Sequence, residues 1–344
     1  MNAMSSELAE ARIASAKTWV PILAKYREPF FARSVFELGI TLAAFFAFGA
    51  LAWLSLSVSP LLAMAIACLN GVWLVRVFLI QHDCGHQALF QSRWANDWTG
   101  RFTGVLTLTP YDVWRRTHSI HHAHAGNLDR RGIGDVLTLT VEEYKARGWF
   151  GRLKYRLYRH PIVMFGLGPA YLFLLDYRLP LGLMTAGWRY WISSMGTNLM
   201  LIALLAGLYA LGGWQVLVFV YLPTVLAAAT IGVWLFFVQH QFEDTYWGHE
   251  PEWQMHDAAL LGSSHYRLPQ PLRWLTANIG IHHVHHLYSR IPFYRLSEIL
   301  RDYPALAEAQ VLTLRESLAC ARLHLWDERA RKLVSFREAR LIAA

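Results

Sequence analysis

Charge is what this chain has least of. Only 16% of its 344 residues are Asp, Glu, Lys or Arg, against about 25% in a soluble globular domain. The deficit is concentrated in long apolar runs, which excludes an ordinary soluble domain. Cysteine is scarce too: Cys68, Cys84 and Cys320 form no CxxC pair and no even set. That excludes a thiolate iron–sulfur centre, a Cys-built zinc site and a disulfide-stapled extracellular fold. Cys84 is expected to be a small buried residue on a helix face turned away from its histidine neighbours. There is no GxGxxG fingerprint, no CxxCH haem attachment, no internal repeat and no long linker, so one domain over residues 1–344 is expected. Residues 1–26 carry mixed charge and no apolar core before a cleavage site, so no secretory signal is expected. No nucleic-acid partner is expected either.

What is present is hydrophobic, at 55% of residues. A helix needs about 20 apolar residues to cross a bilayer core of roughly 30 Å. Residues 38–56, 61–80, 190–211 and 214–238 meet that length. Ser57–Pro60 joins the first pair and Gly212-Gly213 the second; Pro223 is expected to kink the last span. Residues 161–175 form a shorter run, read as an interfacial or re-entrant helix, with a fifth span the alternative. The two joining turns hold no Lys or Arg, whereas the other polar segments are rich in them. By the positive-inside rule both hairpins point outward, and both termini and the large loops are cytoplasmic. The expected fold class is an all-α integral membrane protein. It has four transmembrane helices in two hairpins, interfacial helices, and a cytoplasmic histidine-rich helical cap from residues 81–160 and 239–344. The tail, residues 312–344, has helix-like spacing of Leu323, Trp326, Ala330, Leu333 and Phe336 and is expected to cover the cytoplasmic region, with an interfacial helix the alternative.

Histidine is the remaining signal, with 16 residues. His82 and His86 lie four apart. His118, His121 and His122 follow i, i+3, i+4, and so do His282, His285 and His286. On a helix these offsets share one face. Imidazole is the commonest protein metal ligand and suits iron, zinc, copper and nickel. An even number of spans separates the clusters, so all reach one side of the membrane. His240, at the end of the last span, is the favoured outlying ligand, with His265 its rival. Nine imidazoles are too many for one ion and suit two ions with four or five nitrogens each. His283 and His124 fall off the cluster faces. His160, His249, His256 and His324 have no patterned neighbours and read as polar surface. Asp83, Asp112, Asp135, Glu243, Asp244 and Asn278 are candidates for orienting imidazoles or offsetting the metal charge. Arg76, the one charge in the core half of a span, either snorkels to the interface or pairs with such an acid. A metal transporter would keep its ligands within the spans; here they lie beyond the span ends, which favours a fixed interfacial site. A histidine-rich adaptor without chemistry does not account for the regular spacing.

HxxxH (His82, His86) and two HxxHH motifs (His118, His121, His122; His282, His285, His286) resemble the three histidine boxes of membrane fatty acid desaturases. The likeness extends to Gln81–His86, Val238–Glu243, Asn278–Ile281 and Ser289–Pro292, and is strongest to bacterial acyl-lipid desaturases of the delta-12 (omega-6) type. It covers roughly residues 35–300. The resemblance implies a diiron enzyme that activates O2 and removes two hydrogens from a fatty acyl lipid, in a bacterial inner membrane with its site cytoplasmic. It implies that the box histidines ligate two iron ions and that His240 is the additional ligand. Some relatives carry an Asn four residues before that histidine; here the position is Phe236, so a water is expected in its place. An unactivated C–H bond has no acidic proton, so a metal-based oxidant is required. Expected walls of an acyl tunnel are Trp73, Phe78, Trp114, Trp234, Phe236 and Phe237. Each turnover needs two electrons, and the chain has no His-Pro-Gly-Gly stretch of a fused cytochrome b5 domain. An external ferredoxin-like or cytochrome b5-like donor is therefore expected. Arg147, Arg152, Lys154, Arg156 and Arg159, with Arg329, Arg331 and Lys332, are placed to steer an acidic donor or to meet anionic membrane lipids. The nearest alternative is a hydroxylase or ketolase using the same boxes on lipids or carotenoids.

Overall fold

Uninterrupted apolar runs rich in Leu, Ala and Phe become the longest helices, because their backbone groups pair internally without water. The computed structural model describes residues 16–342. The first two runs are helices Phe31–Leu54 and Pro60–Gly85. Pro60 starts the second, where its missing N–H costs nothing. A third run, Trp188–His240, spans 53 residues and would measure about 80 Å if straight. These three runs are long and apolar enough to cross a membrane.

The third run folds back on itself. Near its start Arg189 pairs with Asp112. At its end His240 Nε2 lies 3.2 Å from His121 Nε2. Asp112 and His121 share one short helix, Tyr111–His124, so the two ends of the run return to the same side. The reversal is at Gly213, whose φ of 66° and ψ of −168° only glycine adopts readily. Gly212 sits against the Trp53 indole, at the far end of the first helix. Pro223 is preceded by a π-turn, Leu217–Tyr221, and Pro169 by another, Val163–Leu167. Widening the turn relieves the clash of the proline ring with the carbonyl four residues back, so the strain expected as a kink at Pro223 is met by a π-turn.

Helix Pro60–Gly85 is central, packed against both Phe31–Leu54 and Leu222–His240. Its Val77 and Ile80 are fully buried with Val238. Arg76 is buried on the side that faces the first helix. It pairs with Glu37, donates to Thr41 Oγ1 at 3.0 Å and to the Trp274 carbonyl, and lies 4.2 Å from the Trp274 ring centroid. It does not snorkel; its acid comes from the first helix, at a position the sequence did not single out.

Among the described residues the cap is built of short helices and five short strands, so it is not purely helical. Leu139–Thr140 pairs in parallel with Leu325–Asp327, which pairs antiparallel with Lys332–Val334; His265–Arg267 pairs in parallel with Val311–Thr313. The middle of the tail thus covers the cap as a hairpin rather than as the expected helix, between the short helices Leu314–Cys320 and Glu338–Leu341. Trp326 and Leu333 pack on Leu128 and Trp247. Residues 1–15, on which the expectation about a secretory signal falls, and residues 343–344 lie outside the described residues.

Candidate metal centre

All three boxes fall on helices. His82 sits in the last turn of Pro60–Gly85 and His86 follows its end. The second box lies on Tyr111–His124 and the third on His282–Leu287. His240 is the last residue of Leu222–His240. These four elements bring nine ring nitrogens into two groups. One comprises His82, His86, His118, His122 and His285; the other His121, His240, His282 and His286; within each, the donor atoms lie within 4.8 Å of one another.

The division follows helix geometry. An i+4 residue is rotated about +40° from residue i, and an i+3 residue about −60°. His118 and His122 therefore enter one group while His121 leans to the other. The third box does the same in reverse: His282 and His286 share a group, and His285 crosses over. Each HxxHH motif serves both groups.

The contacts inside the groups are not a hydrogen-bond network. His118 Nε2 lies 3.0 Å from His86 Nε2 and 3.1 Å from His122 Nε2. His122 Nε2 is also 3.2 Å from His285 Nε2, and His240 Nε2 is 3.0 Å from His282 Nε2. A ring nitrogen carries either one proton or one lone pair, so an atom with two such neighbours cannot bond both. Imidazoles bound to one ion at about 2.1 Å, with neighbouring bonds at right angles, have nitrogens about 3.0 Å apart. His286 Nε2 is buried with no hydrogen-bond partner. Burial first, then neighbouring imidazoles, hold His86, His118, His122, His282, His285 and His286 well below the usual histidine range. The rings are neutral at pH 7, the form that donates to metal. The donor set fits metal ions.

Around the groups, Asp135 Oδ1 meets His121 Nδ1 and the Gly262 carbonyl meets His240 Nδ1 at 3.1 Å; such contacts set the tautomer and aim the opposite nitrogen inward. Trp114 stacks on His118 at 4.6 Å and presses on Gly85, where a Cβ would come within 2.6 Å of the indole. Asp83 Oδ2 accepts from Phe293 N at 2.7 Å, and Asn278 Nδ2 donates to Phe293 O at 3.1 Å. These two tie the first box to the approach of the third, but Asn278 bonds no imidazole.

Other candidates lie elsewhere. Glu243 is exposed and pairs with Lys332 at 2.9 Å. Asp112 is held by Arg101 and Arg189. Arg76 bonds no histidine. His265 bonds the Ala307 carbonyl at 2.8 Å and belongs to neither group. His283 is fully buried and turns away from both groups to the Leu306 carbonyl at 2.8 Å, and His124 turns to Ile120 O. His324 is not a surface residue but stacks on Phe336 at 4.1 Å. Arg159, expected on a docking face, is a buried strut bonding Gln241 Oε1 at 2.8 Å and Leu323 O at 2.9 Å.

A cavity of about 730 Å³ adjoins both groups, with His82, His118 and His282 in its wall. Such a volume accommodates an organic ligand. Phe78, Trp114 and Phe236 line it as expected. Trp73, Trp234 and Phe237 do not: Trp73 packs on Phe48 and Trp274, and the other two on Phe165. The sequence reading missed the wall from Val163 to Phe173 and the small face of Ala228, Ala229 and Gly232. Their helical spacing is a signal, but one shared with ordinary packing.

The fatty acid desaturase family model matches residues 59–317, which hold all nine histidines. A fatty acid desaturase of Bacillus subtilis (strain 168) is 44% identical over 315 residues, covering 92% of this chain and 89% of its own. An sn-1 oleoyl-lipid 12-desaturase of Anabaena variabilis is 24% identical over 266 residues, covering 72% and 70%. An sn-1 acyl-lipid omega-3 desaturase (ferredoxin) of Nostoc sp. (strain 36) is 28% identical over 236 residues, covering 66% and 63%.

Proposed function

The chain belongs to the fatty acid desaturase family of oxidoreductases, and from that premise we propose that it introduces a double bond into a lipid acyl chain, using O2, two histidine-held irons and an external electron donor. One juxtaposition carries the reading: an apolar cavity whose wall includes His82 and His118 of one nitrogen group and His282 of the other. A methylene chain lying there faces both groups at once.

In this reading each group holds one iron, and the pair when bound supplies the oxidising power that an unactivated C–H bond demands. The chain's own residues prepare that chemistry. Asp135 and the Gly262 carbonyl hold the Nδ1 protons of His121 and His240, so both rings turn Nε2 inward. Trp114 fixes the plane of His118. Phe78, Phe236 and Leu79 present apolar surface that seats the acyl chain and keeps water away from the reacting carbon. The Trp188–His240 run, reversed at Gly213, makes two of four spans, with both hairpins outward and the site and termini cytoplasmic. Exposed Arg147, Arg152 and Lys154 lie on the same side, where they steer an acidic ferredoxin-like or cytochrome b5-like donor.

Gas chromatography–mass spectrometry of fatty acids from a host with and without the gene tests the function. The expected result is a new double bond that disappears with His285→Ala. A new hydroxyl or keto product in place of unsaturation refutes desaturation.

A further inference from the structure

Resting on the reading of the cavity as the acyl-chain site, we infer that the chain is admitted sideways from the bilayer, through a portal at Leu167 and Tyr171, while still attached to its membrane lipid. Both residues line the cavity yet are 63% and 56% exposed, whereas Leu79, Trp114 and Leu235 in the same wall are 6%, 6% and 7% exposed. Side chains with one face inside and one outside mark an opening. They stand one turn apart on residues 161–175, a segment with no charged residue. Ile162 and Leu175, beside them, are likewise apolar and exposed. An opening rimmed this way gives onto hydrocarbon rather than water.

Charge agrees with a hydrocarbon occupant. Among the described residues no Lys or Arg lines the cavity, and its one acid, Asp135, is engaged by His121, so the wall suits an acyl chain and offers no fork for the phosphate of its carrier.

Length and wall structure agree. Val225, Ala228, Ala229, Gly232, Val233, Phe236 and Gln239 form one lining face of the last span. From 225 to 239 is 14 steps, about 21 Å at 1.5 Å each, or about 17 extended carbon–carbon bonds at roughly 1.2 Å. The portal segment departs from regular α-helix, because the π-turn Val163–Leu167 runs straight into Gly168-Pro169.

The test uses the full-length protein in phosphatidylcholine vesicles. One arm carries a phosphatidylcholine with a diazirine on its acyl chain; the other receives a diazirine-bearing acyl-coenzyme A in the aqueous phase. After illumination, labelled residues are mapped by peptide mass spectrometry. The phospholipid is expected to label Leu167 and Tyr171 and also the deep residues Ala228 to Val233. Gly232→Leu plugs the lumen without a clash, since nothing lies within 4 Å of a Cβ there. It should cut the deep label several-fold and leave the portal label intact, which also reports that the variant is folded. Deep labelling from acyl-coenzyme A alone, or phospholipid labelling undiminished by Gly232→Leu, overturns lateral admission while the acyl site stands. No deep label from either probe overturns the acyl-site reading itself.

Discussion

Asp135→Asn should weaken one metal site and spare the other. Its carboxylate meets Nδ1 of His121, a member of the four-nitrogen group, and its side chain is only 8% exposed, so solvent cannot replace it. Loss of such a supporting carboxylate typically lowers metal affinity about 10–100-fold, or about 1.4–2.8 kcal/mol at about 1.4 kcal/mol per decade. Asn keeps an oxygen that accepts from Nδ1–H and removes only the charge. Ala removes the acceptor as well and leaves a buried donor unpaired, a further cost of about 1–3 kcal/mol. The order of metal retention is therefore wild type, then Asn, then Ala. The five-nitrogen group has no hydrogen bond to Asp135 among the described residues and should keep its ion. The assay is iron per chain by plasma mass spectrometry during titration with a graded chelator. Wild type should hold two irons; Asp135→Asn should release one of them at about 10–100-fold lower chelator, Asp135→Ala should release it at a lower level still, and both should keep the other. Equal weakening of both irons, or no change in either variant, refutes the division of the nine imidazoles into two sites supported separately.

The other predictions concern residues whose roles the fold separates. His240→Ala should lower iron by about one per chain, whereas His265→Ala should leave it unchanged in the same measurement; the reverse outcome would exchange their roles. Arg76→Met leaves Glu37 buried, with only the half-exposed Arg33 as partner at 2.6 Å, and should cost about 3–5 kcal/mol in detergent unfolding. The double variant Glu37→Leu with Arg76→Met should recover most of that loss, and a double that is no more stable than the single refutes the pairing account. Glu243→Ala removes only an exposed ion pair with Lys332, so iron content and double-bond formation should match wild type; loss of iron would place Glu243 in the site after all.

Helix positions and box membership were legible in the sequence because they depend on local patterns. Apolar runs of span length specify helices, and offsets of three and four place imidazoles on one face whatever the rest of the chain does. The candidate ligands were legible for the same reason, and so was the break at Gly212-Gly213. The acid partner of Arg76 was not. Glu37 is 39 residues away, and no local pattern links the two. The aromatic lining was only half legible, because Trp234 and Phe236 stand two apart on the same helix and face different neighbours: one meets Phe165, the other the cavity. The tail misled because short alternating strands and a helical stripe read alike over a few residues.

By itself, then, the sequence determined that the imidazoles of each box would share one helix face, since that follows from spacing along single helices. Only the tertiary structure decided how they divide. His121 and His285 each leave their helical neighbours and join the opposite group. The i+3 and i+4 directions diverge by about 100°, and a second helix must stand at the right distance before that divergence becomes two separate clusters rather than one broad patch.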